Sequence, residues 1–158
     1  PEGRVQMYPC YSFSAHIPVI EIDPVTGKIE FLKYFIADDC GTVINPDIVK
    51  GMVIGGVAHG IGVALYEHFT YDENGQMTAQ TFMAYLLPST MEVPHIELVK
   101  HCTPSPLTSL GQKGVGEGGY MSAPAAIVNA INDALEPFGH VMRHVPIRPQ
   151  DVLEVIKG

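Results

Sequence analysis

The sequence predicts an α+β fold in a single domain that covers residues 1–158. Three observations carry this prediction: the length suits one domain, 46% of the residues are apolar and only 16% charged, and the strand and helix patterns mix without regular βαβ spacing. A chain of this length hides roughly 70% of its unfolded surface, enough for a core. The low charge also indicates burial against other chains.

The first predicted unit is a β-hairpin. Residues 1–14 have the composition of a loop, whereas residues 16–23 and 28–38 alternate apolar and polar side chains as strands do. The intervening residues 23–27 read Asp-Pro-Val-Thr-Gly, which is turn chemistry. Since Pro18 cannot donate a backbone hydrogen bond, we expect either that the first strand lies at a sheet edge or that it starts beyond Pro18.

A glycine-rich helix is predicted over residues 46–67. Asn45 suits the N-cap position, and Pro46 suits the first helical position. Five glycines lie inside this helix: Gly51, Gly55, Gly56, Gly60 and Gly62. Each costs roughly 1 kcal/mol relative to alanine in a helix interior. We therefore expect the helix to be buried, with its backbone pressed against a flat partner.

The middle of the chain contains signals for strands. The Asn-Gly pair at residues 74–75 predicts a second hairpin that joins residues 68–71 to residues 76–83. An irregular connection follows, and residues 96–101 form a further predicted strand.

The last third combines a long loop with two helices. Residues 103–117 are rich in Pro, Ser and Gly, and unstructured loops of this length are usually functional or mobile. An apolar stripe at i, i+4 spacing predicts a helix over residues 122–136, which Pro137 ends. A short strand is predicted over residues 139–145, and a final helix begins within residues 148–151.

Composition argues against several classes of function. The net charge is −8 and no cluster of Lys or Arg occurs, which disfavours nucleic acid as a partner. The three cysteines are widely spaced, which favours a reducing compartment over a disulfide framework. No apolar run of 18 residues and no signal-peptide pattern occur. We therefore expect a cytoplasmic chain without a membrane partner.

The most informative stretch is residues 112–119, Gln-Lys-Gly-Val-Gly-Glu-Gly-Gly. A single carboxylate, Glu117, lies in a run with four glycines, and a strong helix pattern follows. Glycine is usually retained where the backbone turns with positive φ or approaches another group closely. Glu117 is therefore a candidate functional acid, and the alternative is a solvated side chain in a flexible loop.

No other pattern points to a metal or phosphate site. The six histidines other than His59 lack the spacing of metal ligands, and three cysteines are too few to hold an iron–sulfur cluster. Gly60-Ile61-Gly62 lies inside a helix, so it is not a dinucleotide-binding turn. We expect no protein ligand to a metal in this chain.

Four segments, in order, resemble the molybdenum hydroxylases, the family of xanthine dehydrogenase, aldehyde oxidase and aerobic carbon monoxide dehydrogenase. They are residues 8–16 (YPCYSFSAH), 38–46 (DDCGTVINP), 55–67 (GGVAHGIGVALYE) and 113–130, where KGVGEGG precedes SAPAAIVNA. The resemblance runs through nearly the whole chain but covers only the last part of the family's large subunit. It leads us to expect either a separate small subunit of a split enzyme or a piece of a longer chain.

The resemblance implies a cofactor and partners. The cofactor would be a molybdenum–pterin in its dinucleotide form, shared with the rest of the molybdenum subunit. Iron–sulfur and FAD groups would lie on further subunits. The substrate would be a small molecule with an aldehyde, heteroaromatic or similar carbon centre.

The resemblance also implies roles for individual residues. Glu117 corresponds to the family's catalytic base. His59 stands where family members usually carry a glutamine that reaches the cofactor. Gly114, Val115 and Gly116 would offer backbone N–H and C=O groups to the cofactor, and Gly114 would permit the turn.

Four neighbouring residues receive less specific interpretations. Lys113 either meets a cofactor phosphate or is a solvated cation, and we favour the solvated cation. Met52 stands where glutamine is frequent and is interpreted as core filler. Asp38 and Asp39 either form a metal-binding pair or close the second strand through hydrogen bonds to the loop backbone, and we favour the second interpretation.

The sequence thus predicts the catalytic-base portion of a molybdopterin-dependent hydroxylase, an oxidoreductase that works only within a larger complex. The alternative is a non-catalytic scaffold that keeps the fold and binds no molybdenum. The replacements at His59 and Met52 favour that alternative.

Overall fold

The computed structural model describes Gly3 and residues 10–158. The elements, in order, are β1 (Phe13–Ile22), β2 (Ile29–Asp39), α1 (Pro46–Leu65), β3 (Ile96–Lys100), α2 (Gly118–Met121), α3 (Ala123–Leu135), a 3₁₀ turn (Glu136–Phe138) and α4 (Pro149–Lys157). This arrangement confirms the α+β class. Most of the loop predicted over residues 1–14 lies outside the described residues.

The strands form one sheet in the order β1-β2-β3, in which β1 is antiparallel to β2 and β2 is parallel to β3. The turn between β1 and β2 has the predicted chemistry, since the Asp23 carboxylate accepts from the Val25 N–H at 2.8 Å. Gly27 ends this turn with a φ of +72°. The first hairpin is confirmed, and β1, which carries Pro18, lies at an edge of the described sheet.

The core lies between one face of the sheet and the helices. Tyr34 and Ile36 of β2 are fully buried, and Ile96 of β3 pairs with Tyr34 in register. The helices contribute further buried apolar side chains to this cluster, among them Val53, Val57 and Ile61 from α1, Ile127 and Ile131 from α3, and Val152 from α4. The sheet, α1 and α3 therefore share one core, and the Glu117 loop lies beside both helices.

Helix α1 begins as predicted, because the Asn45 side chain accepts from the N–H groups of Asp47 and Ile48 at 3.1 Å. Four of its five glycines divide into two groups. A Cβ on Gly56 would lie 2.8 Å from the carbonyl carbon of Gly119, and one on Gly60 would lie 2.5 Å from the Ala123 Cβ. The expectation of close backbone packing is right for this face of the helix.

The opposite face of α1 is open. A Cβ on Gly51 or Gly55 would meet no atom within 4 Å. Among the described helices, α1 alone is long and apolar enough to cross a membrane by length and composition. The glycine contacts and the buried residues Val53, Val57 and Ile61 identify it here as the central helix of the fold.

Three predicted strands, two of them in the second hairpin, are absent from the described residues, and one helix was missed. The predicted second hairpin is reduced to an isolated bridge between Tyr71 and Met77. Residues 139–145 form no strand, because the Asn132 side chain bonds to the backbone of Met142 in place of a neighbouring strand. It accepts from the Met142 N–H at 2.7 Å and donates to the Met142 carbonyl at 3.2 Å. The short helix α2 lies where the sequence indicated only the end of a loop.

Candidate functional site

The loop that leads to Glu117 is fixed to the end of β2. The Lys113 N–H donates to the Cys40 carbonyl at 2.7 Å, and the Thr42 N–H donates to the Gly111 carbonyl at 3.1 Å. Gly41 has a φ of +68°, and a Cβ there would lie 2.3 Å from the Gly111 oxygen. Only glycine allows the two backbones to approach so closely at this position.

Glu117 itself lies at the N-terminal end of α2. Its carbonyl accepts from the N–H groups of Tyr120 and Met121, whereas its carboxylate makes no capping hydrogen bond and is exposed. The following backbone is pressed onto α1, since a Cβ on Gly119 would lie 2.1 Å from the Val53 oxygen. A free carboxylate is thus carried on a backbone that is held on both sides.

Glu117, His59 and Gly116 line one cleft of about 290 Å³ between α1 and this loop. The His59 ring stacks on Tyr120, with 4.6 Å between ring centroids and 25° between ring planes. Sequence reasoning missed Tyr120, although an aromatic residue directly after the Gly118-Gly119 pair is a signal that could have found it. The cleft is completed by Gly51, Met52, Gly55 and Gly56.

This cleft suits a bulky group. A Cβ at Gly51, Gly55 or Gly116 would point into open space, so these parts of the cleft wall present no side chains. A carboxylate and an imidazole face the same space. The described residues contain no group of three or more His, Cys, Asp or Glu side chains that could hold a metal. The open glycine backbone beside a carboxylate and an imidazole fits the surroundings of a metal that an organic cofactor carries.

The other predicted site residues fall in different places. Gly114 is exposed at the surface, and Val115 is half-buried and packs against the core. The Val115 side chain thus contributes to the core, and the contact of its backbone with a cofactor stays a prediction. Met52 is 42% exposed and lines the cleft. Its interpretation as core filler is wrong, because no described element covers that face of α1.

Lys113 is not a solvated cation. Its ammonium lies 3.2 Å from Asp39 Oδ2, and the two side chains are only 6% and 7% exposed. It also donates to the Thr103 hydroxyl at 2.6 Å. The sequence could not show this pair, because its members are 74 residues apart and belong to no local pattern.

Asp39 closes β2 as expected. Its carboxylate accepts from the Gly41 N–H at 2.9 Å and from the Thr103 N–H at 3.1 Å, and it also accepts from the Thr103 hydroxyl. Burial alone would raise the pKa of Asp39. Hydrogen bonds from Thr103, Gly41 and Lys113 outweigh that effect and hold the pKa of this carboxyl well below its usual range.

Asp38 has the opposite surroundings. Its Oδ1 is buried without a hydrogen-bond partner, and burial together with the Asp39 charge raises its pKa. The same oxygen lies 3.0 Å from the position of a Cβ on Gly118, and the Ser14 hydroxyl donates to the Gly118 carbonyl at 3.2 Å. The expected hydrogen bond from the Asp38 side chain to the loop backbone is absent. Its carboxylate instead lies next to Gly118, the residue that follows Glu117.

His16 lies on the same face of the sheet. Its Nδ1 is 2.9 Å from the Tyr34 hydroxyl, and its Nε2 is buried without a partner. Burial lowers the pKa of His16, which favours the neutral ring. A wider groove of about 720 Å³ between β1 and α3 includes His16 but none of the predicted site residues.

Comparison with known proteins points to one family. Residues 1–94 match the molybdopterin cofactor-binding domain family. The chain is 43% identical over 150 residues to the nicotine 6-hydroxylase large subunit of Paenarthrobacter nicotinovorans, a match that covers 95% of this chain and 18% of that protein. It is 39% identical over 124 residues to the carbon monoxide dehydrogenase large chain of Afipia carboxidovorans, which covers 78% of this chain and 15% of that protein.

A solved structure shows the same fold. Quinoline 2-oxidoreductase from Pseudomonas putida 86 superposes with a TM-score of 0.86 at 44% identity, covering 90% of this chain and 18% of that chain. The chain thus spans less than a fifth of the length of each of these three proteins. It belongs to the molybdenum hydroxylase family and corresponds to a molybdopterin-binding region of these oxidoreductases.

Proposed function

We propose that this chain is the catalytic-base portion of a molybdopterin-dependent hydroxylase. The observation that supports the proposal most strongly is the free carboxylate of Glu117 in a cleft that it shares with His59. The open glycine walls of this cleft leave room for a cofactor and a substrate. When bound, the molybdenum–pterin would supply a two-electron oxidation that places a water-derived oxygen on a carbon of the substrate.

Glu117 would accept a proton at a carboxylate oxygen during this reaction. A general base must lie within hydrogen-bond reach of the proton that it takes, and no capping bond occupies the Glu117 carboxylate. His59 would donate one ring N–H to the cofactor, in place of the glutamine amide of other family members. Stacking on Tyr120 would hold the imidazole ring at the cleft. The N–H and C=O groups of Gly114, Val115 and Gly116 would contact the cofactor from the other side.

The complete enzyme would need further polypeptide. Because the chain matches only 18% of the nicotine 6-hydroxylase large subunit, we propose that the rest of a molybdenum subunit completes the site. Iron–sulfur and FAD subunits would carry the electrons away, and the complex would work in the cytoplasm. Two relatives are named for nicotine and quinoline, which contain nitrogen heteroaromatic rings. They favour a heteroaromatic substrate over an aldehyde for this chain.

Replacing Glu117 with glutamine tests the base. The substitution keeps the size of the side chain and removes its ability to take a proton. In the complete enzyme, purified with its partner subunits, we expect Glu117→Gln to retain molybdenum and to lose turnover by about 10²–10⁴-fold or more. Metal content and the steady-state rate are the two measurements.

Glu73→Gln is the matched control, because Glu73 is an exposed residue in the turn at residues 72–75. It should leave both measurements unchanged. If Glu117→Gln turns over at the normal rate, Glu117 is not the base. If the unaltered complex contains no molybdenum, the chain is a scaffold that keeps the family's fold.

A further inference from the structure

The segment that carries Glu117 is anchored through buried charges. Lys113 lies four residues before Glu117, and its ammonium contacts both Asp39 Oδ2, at 3.2 Å, and the Thr103 hydroxyl, at 2.6 Å. The same ammonium lies 5.0 Å from the centre of the Phe13 ring. Lys113, Asp39 and Thr103, called here the latch, therefore join the end of β2, the segment after β3 and the Glu117 loop.

The segment between the latch and Glu117 has little to hold it by itself. A Cβ on Gly114 or Gly116 would meet no atom within 4 Å, so neither residue is packed in place. Only the Val115 side chain packs against the core. The Glu117 carboxylate is thus placed by anchors on either side of this segment. The latch and the bond from the Lys113 N–H to the Cys40 carbonyl lie before it, and the Gly119 contact with α1 and the Ser14 bond to the Gly118 carbonyl lie after it.

A buried ion pair is a poor device for stability alone. Removing two charges from water is costly, and well-packed apolar residues of similar volume often serve a fold equally well or better. Such a pair does fix the relative position of the two segments that carry it, because a buried charge without its partner is costly. Here Asp39 accepts from Gly41, Thr103 and Lys113, which leaves it a single well-defined arrangement.

We propose that Lys113 and Asp39 are positioning residues for the reaction, which hold the Glu117 carboxylate in place through the backbone of residues 113–117. This inference rests on the proposed role of Glu117 as the base. It assigns Lys113 to the protein's own structure and not to a cofactor phosphate, because its ammonium is already engaged by Asp39 and Thr103.

The test uses four variants in the complete enzyme: Lys113→Met, Asp39→Asn, the double variant and Thr103→Val. Lys113→Met removes the charge and keeps most of the stem. We expect its kcat to fall by about 10²-fold, the cost of misplacing a reacting group by about 1 Å, with a much smaller change in KM. Thr103→Val keeps the ion pair, folds with the least disturbance, and should give a smaller loss of kcat.

The double variant distinguishes a positioning role from a general destabilisation of the fold. In Asp39→Asn alone, the new amide faces the Lys113 ammonium, so two donors oppose each other. With Lys113→Met added, the Thr103 hydroxyl can accept from that amide. We therefore expect the double variant to recover part of the kcat that each single variant loses. Lys28→Met is the matched control, because Lys28 pairs with Glu30 at an exposed site.

Hydrogen exchange provides a readout that does not depend on activity. In Lys113→Met, the N–H groups of Thr42, Lys113 and Gly118 should exchange faster, while those of α3 keep their protection. Faster exchange throughout the chain would mean global destabilisation and would overturn the inference. Unchanged kcat in Lys113→Met and in Thr103→Val would overturn it as well. If instead Glu117→Gln is fully active, the proposed base is wrong, whatever the exchange data show for the latch.

Discussion

Asp38 and Asp39 are adjacent, yet the fold treats their carboxylates in opposite ways. Asp39 accepts from Gly41, Thr103 and Lys113, and these bonds outweigh burial and lower its pKa. Asp38 has a buried oxygen without a partner, and burial raises its pKa. The side chains of successive strand residues point to opposite faces, which explains how neighbours meet such different surroundings.

These surroundings predict opposite dependences of stability on pH. The unfolded pKa of an aspartate is about 3.9. Because the folded pKa of Asp39 is lower, its contribution to stability is present above about pH 4 and is lost as the pH falls towards the folded pKa. Because the folded pKa of Asp38 is higher, stability declines as the pH rises from about 4 through that raised value.

Asparagine substitutions at the two positions should therefore change the free energy of unfolding in opposite directions. At neutral pH, Asp39→Asn should lower the free energy of unfolding by about 3 kcal/mol, since it leaves the Lys113 charge buried without a counter-charge. Asp38→Asn should raise it, since it removes the cost of ionising a buried carboxyl beside Asp39. Chemical denaturation at neutral pH and at about pH 3 measures both, and both effects should shrink at the lower pH. Equal signs at neutral pH would contradict this description of the two sites.

Among the elements, α1 has two faces that serve different purposes. Gly56 and Gly60 bring its backbone against α2 and α3, and so place the Glu117 loop. Gly51 and Gly55 leave the other face open along the cleft. One helix thus both supports the loop and forms the opposite wall of the candidate site.

Two adjacent alanine substitutions test this division. Gly56→Ala should destabilise the chain, because the new methyl would lie 2.8 Å from backbone atoms of Gly119 and Tyr120. Gly55→Ala should stabilise it by up to about 1 kcal/mol, because the new methyl meets no atom and alanine favours the helix. The Gly55 variant should nonetheless bind less cofactor in the complete enzyme. Denaturation midpoints and molybdenum content check the two effects, and a stabilising Gly56→Ala would refute the close packing.

The elements also show what the sequence could predict. The hairpin of β1 and β2 was predictable, because its turn and its alternation are local signals. So was α3, because its apolar stripe repeats at helical spacing. The hairpin predicted over residues 68–83 failed, since an Asn-Gly turn gives strands only where a sheet can accept them. Long-range partners were invisible, as the Lys113–Asp39 pair shows.

At the scale of the whole molecule, several large apolar side chains remain exposed. Phe82 is 80% exposed, Met83 93% and Met91 87%, all in the segment between α1 and β3. Contiguous apolar surface on a folded chain commonly marks an interface. These exposed side chains agree with the proposal that the chain packs against the rest of a molybdenum subunit.

A structure of the complete, cofactor-loaded enzyme, with molybdenum located by its anomalous scattering, tests the role of Glu117. The proposal predicts the molybdenum signal in the cleft between α1 and the Glu117 loop, with the Glu117 carboxylate facing it and His59 beside it. A molybdenum signal outside this cleft, with the Glu117 carboxylate directed into bulk water, would contradict the proposal.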